Sequence, residues 1–354
     1  MMTPIPPSPP RLALLLALLF AGLAAQRTHA EVLVDIYTAT VSVDSRSERS
    51  VAAARREGLE RVLVKASGDA AAAQRPEVAA ALEDAQRYLQ RYSYVDTPGG
   101  EVALRLDYDD RAVQDLLRSA GLPLWTSNRP PVLAWLVVSD GARRRFLSAD
   151  DAPDAVAALR RRFDDRGLPL QLPLYDLTDT AALSPGEAWR QSSSALVEAS
   201  RRYRGSELLA GRAARTATGR WVGDWQLLYE GRWVRRRVDV DSFDAFAEAA
   251  ADLAASAIAG RYAVALSGGA DLRHRVTLRG IRGYAEFSAA RAALESLAGV
   301  RRVVPERLIG DQVSLRIEAD ADLVQLARIV ELDQRFVPTP ATAGDTGLFY
   351  EWIR

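Results

Sequence analysis

The chain has 354 residues, 46 basic and 46 acidic side chains, and a formal net charge of +0. That balance argues against a general binder of nucleic acid or anionic membranes, which carries a basic excess. With no cysteine and only two histidines, disulfides, a lipidated N-terminal cysteine and zinc sites of the common Cys/His kinds are excluded, and no cofactor is expected.

Residues 12–25 are almost wholly Leu, Ala, Phe and Gly, preceded by Pro-rich sequence with Arg11. Thr28-His29-Ala30 places small residues where signal peptidase reads. Residues 1–30 are therefore expected to be a signal peptide, cleaved before Glu31. The apolar run falls short of the ~20 residues that a membrane span needs. No second run of that character follows, so the exported chain is expected in the periplasm, without a lipid anchor or a membrane span.

Three segments follow. In the first, 31–125, Val32, Val34, Ile36, Val41 and Val43 mark a long strand. Ser45 and Glu48 read as a capping box opening a helix with Val51, Leu59, Val62, Leu63 and Ala66 on its apolar face. Pro76 opens a second helix, and Val78, Leu82, Ala85, Leu89 and Tyr92 form one stripe at helical spacing. After the turn Pro98-Gly99-Gly100, 102–106 is a strand and 112–120 a short helix. Residues 125–131, with two prolines and several polar side chains, read as a linker.

The second segment is 132–266. Val132 to Val138 is an unbroken apolar run, the pattern of a strand buried on both faces. Helices are expected over 154–166 and 187–203. A strand over 168–174 is interrupted by Pro169 and Pro173, which suits an edge. A further strand begins at Leu208. Residues 221–228 and 233–240 flank Glu230-Gly231-Arg232 as a hairpin, and 243–258 is an Ala-rich helix. The order implies helices packed on a mixed sheet.

The third segment, 273–338, reads β-α-β-β-α-β, the ferredoxin-like arrangement, with a hairpin at Gly310-Asp311 and a last strand at Phe336-Val337. The tail, 339–354, is expected to be mobile to Gly347, although Leu348, Phe349, Tyr350 and Trp352 could dock. The fold class is thus multi-domain α/β and α+β, with small mixed-sheet units followed by a ferredoxin-like one.

Chemistry-bearing residues are scarce. His274 lies between Arg273 and Arg275, which oppose its protonation. Lys65, the single lysine, falls at the end of a helix, where a cation suits the macrodipole. Carboxylates cluster at Asp107, Asp109 and Asp110, at Asp150, Asp151 and Asp154, and at Asp176 and Asp179. A glycosidase needs two carboxylates across the scissile bond; helix caps and turns use the same residues, with Asp110 and Asp154 placed as caps. Trp221 and Trp225 are four apart and project from one strand face. With Trp233, Arg232 and Arg235 they form a basic-aromatic hairpin. It either packs beneath the helix that follows or grips a partner. Tyr88 and Tyr92 share a helix face near Tyr94.

Val62-Leu63-Val64-Lys65-Ala66-Ser67-Gly68 and Tyr88-Leu89-Gln90-Arg91-Tyr92-Ser93-Tyr94, with later blocks at 131–138, 166–177, 199–212 and 221–225, resemble domain-of-unknown-function family 2066 of Gram-negative envelopes. That resemblance implies an exported envelope protein and carries over no catalytic residue. The middle segment is similar, more loosely, to protein-binding domains of TolB-like proteins and of outer-membrane activators of peptidoglycan synthases. The expected function is a non-catalytic protein-binding or scaffold module with an envelope protein as partner. The alternatives are a carboxylate-dependent hydrolase or lyase on cell-wall glycan, or a glycan- or lipid-binding module.

Overall fold

The computed structural model describes residues 34–97, 102–141, 143–203, 207–266, 272–297, 299–340 and 346–353. The leader and the turn at Pro98-Gly99-Gly100 lie outside the described residues. Strands β1 (Thr38–Ser42), β2 (Leu89–Asp96) and β3 (Val102–Tyr108) form an antiparallel sheet in the order β1-β3-β2. Helices α1 (Glu48–Ser67), α2 (Pro76–Glu83) and α3 (Asp110–Ser119) bury it around Leu59, Leu63, Leu104 and Leu117.

Two local expectations are corrected here. The cap of α1 is Ser47, whose hydroxyl accepts from the Ser50 amide at 3.2 Å, rather than Ser45. The stripe from Val78 to Tyr92 is not one helix. Helix α2 stops at Glu83, a 3-10 turn spans Ala85–Tyr88, and Tyr92 and Tyr94 stand in β2 opposite Leu106 and Leu104. Aromatic residues suit a pleated surface, and pairing with β3 overrides the helical spacing.

The central sheet has the order β10-β9-β8-β5-β6. Its strands are β5 (Val132–Ser139), β6 (Arg144–Phe146), β8 (Glu207–Arg215), β9 (Trp221–Tyr229) and β10 (Arg232–Val240); β4 (Pro123–Leu124) lies outside it, in the joint described below. Strand β7 (Leu170–Gln171) adds to the start of β5. The β5 run is buried on both faces: Ala134 and Leu136 meet one core, Leu133, Trp135 and Val137 the other. Helix α4 (Pro153–Asp165) lies against the first face. Helices α5 (Leu177–Ala182), α6 (Pro185–Trp189) and α7 (Ser193–Ser200) lie on the second. The single helix expected over 187–203 is two, broken at Gln191, whose φ is 54°. The strand expected over 168–174 pairs only through β7.

Helix α8 (Phe243–Tyr262) crosses the first face beside α4. Asp244 at its start accepts from Arg161 at 2.8 Å and from Arg162 Nε at 2.9 Å, which ties the two helices. The β9–β10 turn pairs Tyr229 with Arg232, and its central residues Glu230 and Gly231 have φ of 48° and 75°. That is the left-handed pair of a type I′ turn, which matches the twist of the strands it joins.

The C-terminal sheet comprises β12 (Leu272–Arg279), β13 (Val300–Ile309), β14 (Gln312–Ala319), β15 (Phe336–Pro338) and β16 (Leu348–Trp352). Its helices are α9 (Tyr284–Glu295) and α10 (Leu323–Val330). The element order matches the expectation, but the pairing differs. The sheet reads β13-β14-β12-β16-β15, so the tail strand β16 runs parallel to β12 and comes between it and the edge strand β15. Tyr350 and Trp352 alternate into the core beside Phe336, and that burial holds the strand.

Residues 125–131 are a packed joint rather than a loose linker. Trp125 is fully buried in the central core, while Leu124 and Leu266 belong to the N-terminal core. Pro123 and Leu124, strand β4, pair with β11 (Val264–Ala265), and Val264 enters the C-terminal core. The two connections thus form one ribbon where the three cores meet. The Arg129 guanidinium lies in the joint 3.7 Å over the Trp125 ring. It donates to the carbonyls of Lys65 (2.6 Å), Trp125 (2.8 Å), Thr126 (2.8 Å), Arg166 (3.2 Å) and Gly167 (2.8 Å). These acceptors include the carbonyl-bearing ends of α1 and α4, where a cation is favoured. Burial and the nearby Arg166 lower its pKa to about 9, which leaves it a cation at neutral pH. Gly68 caps α1 with φ 74°, and a Cβ there would lie 2.3 Å from Ala259 Cβ of α8. Both the left-handed turn and this close approach require glycine.

Candidate functional site

The tryptophan hairpin divides between the two faces of the central sheet. Trp225 has no exposed surface: its ring lies 5.1 Å from Phe246, and its Nε1 donates to the Phe246 carbonyl at 3.0 Å. Trp221, half-buried, meets Phe243 edge-on at 5.0 Å. Both lie under α8; full burial removes Trp225 from the contact surface expected of it, whereas Trp221 keeps part of its surface exposed. Large rings opposite an Ala-rich helix fill the space that its small side chains leave.

Trp233 stands on the opposite face, paired with Leu228. That face continues through Arg235 opposite Gln226 and Arg237 opposite Asp224. Among the described residues helix α6 packs on β5, β6 and β8, and α7 on β8, and neither packs closely on β10, which leaves the β10 side of this face the less covered one. Arg232, Arg235 and Arg237 are exposed and Trp233 is half-buried. Arg235 donates to Gln226 Oε1 at 3.2 Å and lies 3.8 Å from Asp224. Arg212 donates to Asp224 at 2.9 Å and to the Trp189 carbonyl at 3.1 Å. Arg144 and Arg212 both lie over the Trp189 ring, at 4.9 and 5.9 Å. Oδ1 of Asp224 and Nε2 of Gln226 are buried with no hydrogen-bond partner. Sequence reasoning missed Arg212, Asp224 and Gln226. Their alternation in β8 and β9 is a signal for this face, but it takes on meaning only once β8 and β9 are known to be neighbours.

The carboxylates are engaged locally. Partial burial opposes ionisation of Asp107, but hydrogen bonds from Arg91 and Thr38 hold it below the usual range. Asp109, not Asp110, caps α3, accepting from the Ala112 amide at 2.8 Å. Asp154 sits in the first turn of α4, whose cap position is Ala152 without a side-chain bond. Asp176 caps α5. Asp179, fully buried, accepts from the Tyr203 hydroxyl at 2.5 Å, the Tyr175 amide at 2.9 Å and Arg202 at 2.9 Å. Arg202 also grips Asp176, so one guanidinium holds both carboxylates. His274 Nε2 lies 2.8 Å from the Ala321 carbonyl. Lys65 Nζ donates to the Thr38 carbonyl at 3.3 Å, and burial lowers its pKa. Among the described residues no helix is long and apolar enough to cross a membrane.

Residues 30–126 match a family described as Domain of unknown function (DUF8605). This overturns the resemblance to family 2066, because the family that matches is a different one. The two leading blocks of that resemblance are the glycine-capped end of α1 and the paired strand β2, patterns that helix ends and strands impose on many chains. No curated protein and no solved structure matches the chain.

Proposed function

We propose that the chain is an exported, non-catalytic envelope protein that binds an acidic protein partner through the open side of the central sheet. The observation that supports this most is the alternation that places half-buried Trp233 and exposed Arg235 and Arg237 on one face of an edge strand, with Arg232 at its start pointing to the other face. Trp and Arg supply much of the binding energy where proteins meet, and a basic face steers acidic partners toward it. Export rests on the composition of residues 1–30, and residence in the periplasm follows from it.

Two measurements test this reading. N-terminal sequencing of protein recovered from a periplasmic extract should begin at Glu31; a chain confined to the cytoplasm contradicts the export. Cross-linking in intact cells should join the chain to a specific protein, and an R235E/R237E variant of unchanged melting temperature should lose it. Undiminished cross-linking by that variant would remove the hairpin face from the account.

A further inference from the structure

The C-terminal sheet buries one face under α9 and α10 and turns the other outward. On the outward face one row crosses four strands: Phe349 of β16 pairs with Thr277 of β12, Thr277 with Ser314 of β14, and Ser314 with Arg307 of β13. A cavity of about 370 Å³ opens over this row, bounded also by Glu306 and Gln312. It lies within the range of small-molecule sites, at the small end of ~300–1,000 Å³.

The chemistry of its walls is specific. Thr277, 3 % exposed, forms part of the floor, its hydroxyl 3.4 Å from that of Ser314. Glu306 is held between Arg275 at 3.4 Å and Arg316 at 3.2 Å, so the wall carboxylate is compensated. Besides exposed Arg307, the remaining polar lining is hydroxyl and amide, able both to donate and to accept. A cation would meet Arg275 and Arg307, and because both guanidiniums are exposed and screened by solvent they favour an anion only weakly. A neutral ligand rich in hydroxyls matches the hydroxyl and amide groups of the lining directly. Phe349 supplies a flat apolar face against which the C–H side of a sugar ring can pack.

The geometry points to a saccharide site on this face, separate from the protein-binding face of the central sheet and independent of it. The ligand class is a small neutral sugar, with Phe349 as platform and Ser314, Gln312 and Glu306 as hydrogen-bonding partners. None of these residues is brought together by sequence proximity; the inserted strand β16 delivers Phe349 to the row.

Saturation-transfer NMR on the full chain tests this with glucose, galactose and N-acetylglucosamine as probes and inorganic phosphate as competitor. Transfer to the ring protons of at least one sugar, undisturbed by phosphate, is expected. F349L, which keeps apolar volume but removes the aromatic face, and S314A should each weaken binding at least tenfold. R307A, at an exposed position, provides a third variant with little risk to the fold. No transfer to any of the three sugars overturns the assignment. So does transfer that is unchanged in F349L, S314A and R307A alike, or that phosphate abolishes.

Discussion

The joint around Arg129 and the open face around Arg235 use the same residue type for opposite ends. Arg129 is 2 % exposed and directs its donors at backbone carbonyls from α1, the connection and the end of α4. Arg235 and Arg237 are exposed on an edge strand, opposite Gln226 and Asp224. In a chain whose cations are almost all arginine, residue identity does not assign a role. Burial and the acceptors within reach do.

The sharpest way to break this comparison is to remove the buried member. R129M strips charge-assisted bonds from five carbonyls and should lower unfolding free energy by at least about 3 kcal/mol. Chemical denaturation will show it, and R129K should rescue only part, because an ammonium cannot reproduce the planar fork. Stability close to wild type would mean that the joint holds the cores together without it.

Next in size is the contrast within the hairpin. W225A removes a fully buried ring and should cost about 3–5 kcal/mol, with loss of near-ultraviolet circular dichroism. W233A should leave the fold intact and act on partner capture. Equal losses of stability would place Trp233 in the core as well.

A smaller effect concerns Tyr203. Burial first, and its bond to Asp179, push its pKa up to about 12 from an ordinary 10.0. The neutral phenol is favoured in the folded state, so its contribution is complete below pH 10 and lost as pH rises toward 12. Y203F should cost about 1 kcal/mol at neutral pH and show a shallower loss of stability across that window. Parallel curves for the two proteins would exclude the hydroxyl from the pH response. Smallest of all, R235A and R237A should each shift stability by no more than about 0.5 kcal/mol in thermal melts.

Much of the fold is legible where local signals and tertiary demands agree. The apolar run from Val132 to Val138 forms a strand buried on both faces, and Glu230-Gly231 and Gly310-Asp311 make the turns that their residues favour. Legibility fails where distant pairing decides. Tyr92 keeps helical spacing with Leu89 but is claimed by β3. The prolines and polar side chains of 125–131 look like a linker because the carbonyls that Arg129 needs lie tens of residues away. Of the candidate face, Trp233 and Arg235 are visible in the sequence, whereas the direction of Trp225 is fixed by Phe246 and by the space beside Gly211, where a Cβ would meet the ring at 2.3 Å.

The open face of β10 can be interrogated directly by placing a photo-cross-linking residue at Arg237 and, as a control, at exposed Glu77 of α2, in intact cells. Adducts with one acidic protein are expected from position 237, none from position 77, and they should be lost when R235E is added. Absence of adducts at 237, or the same adducts from both positions, would contradict it.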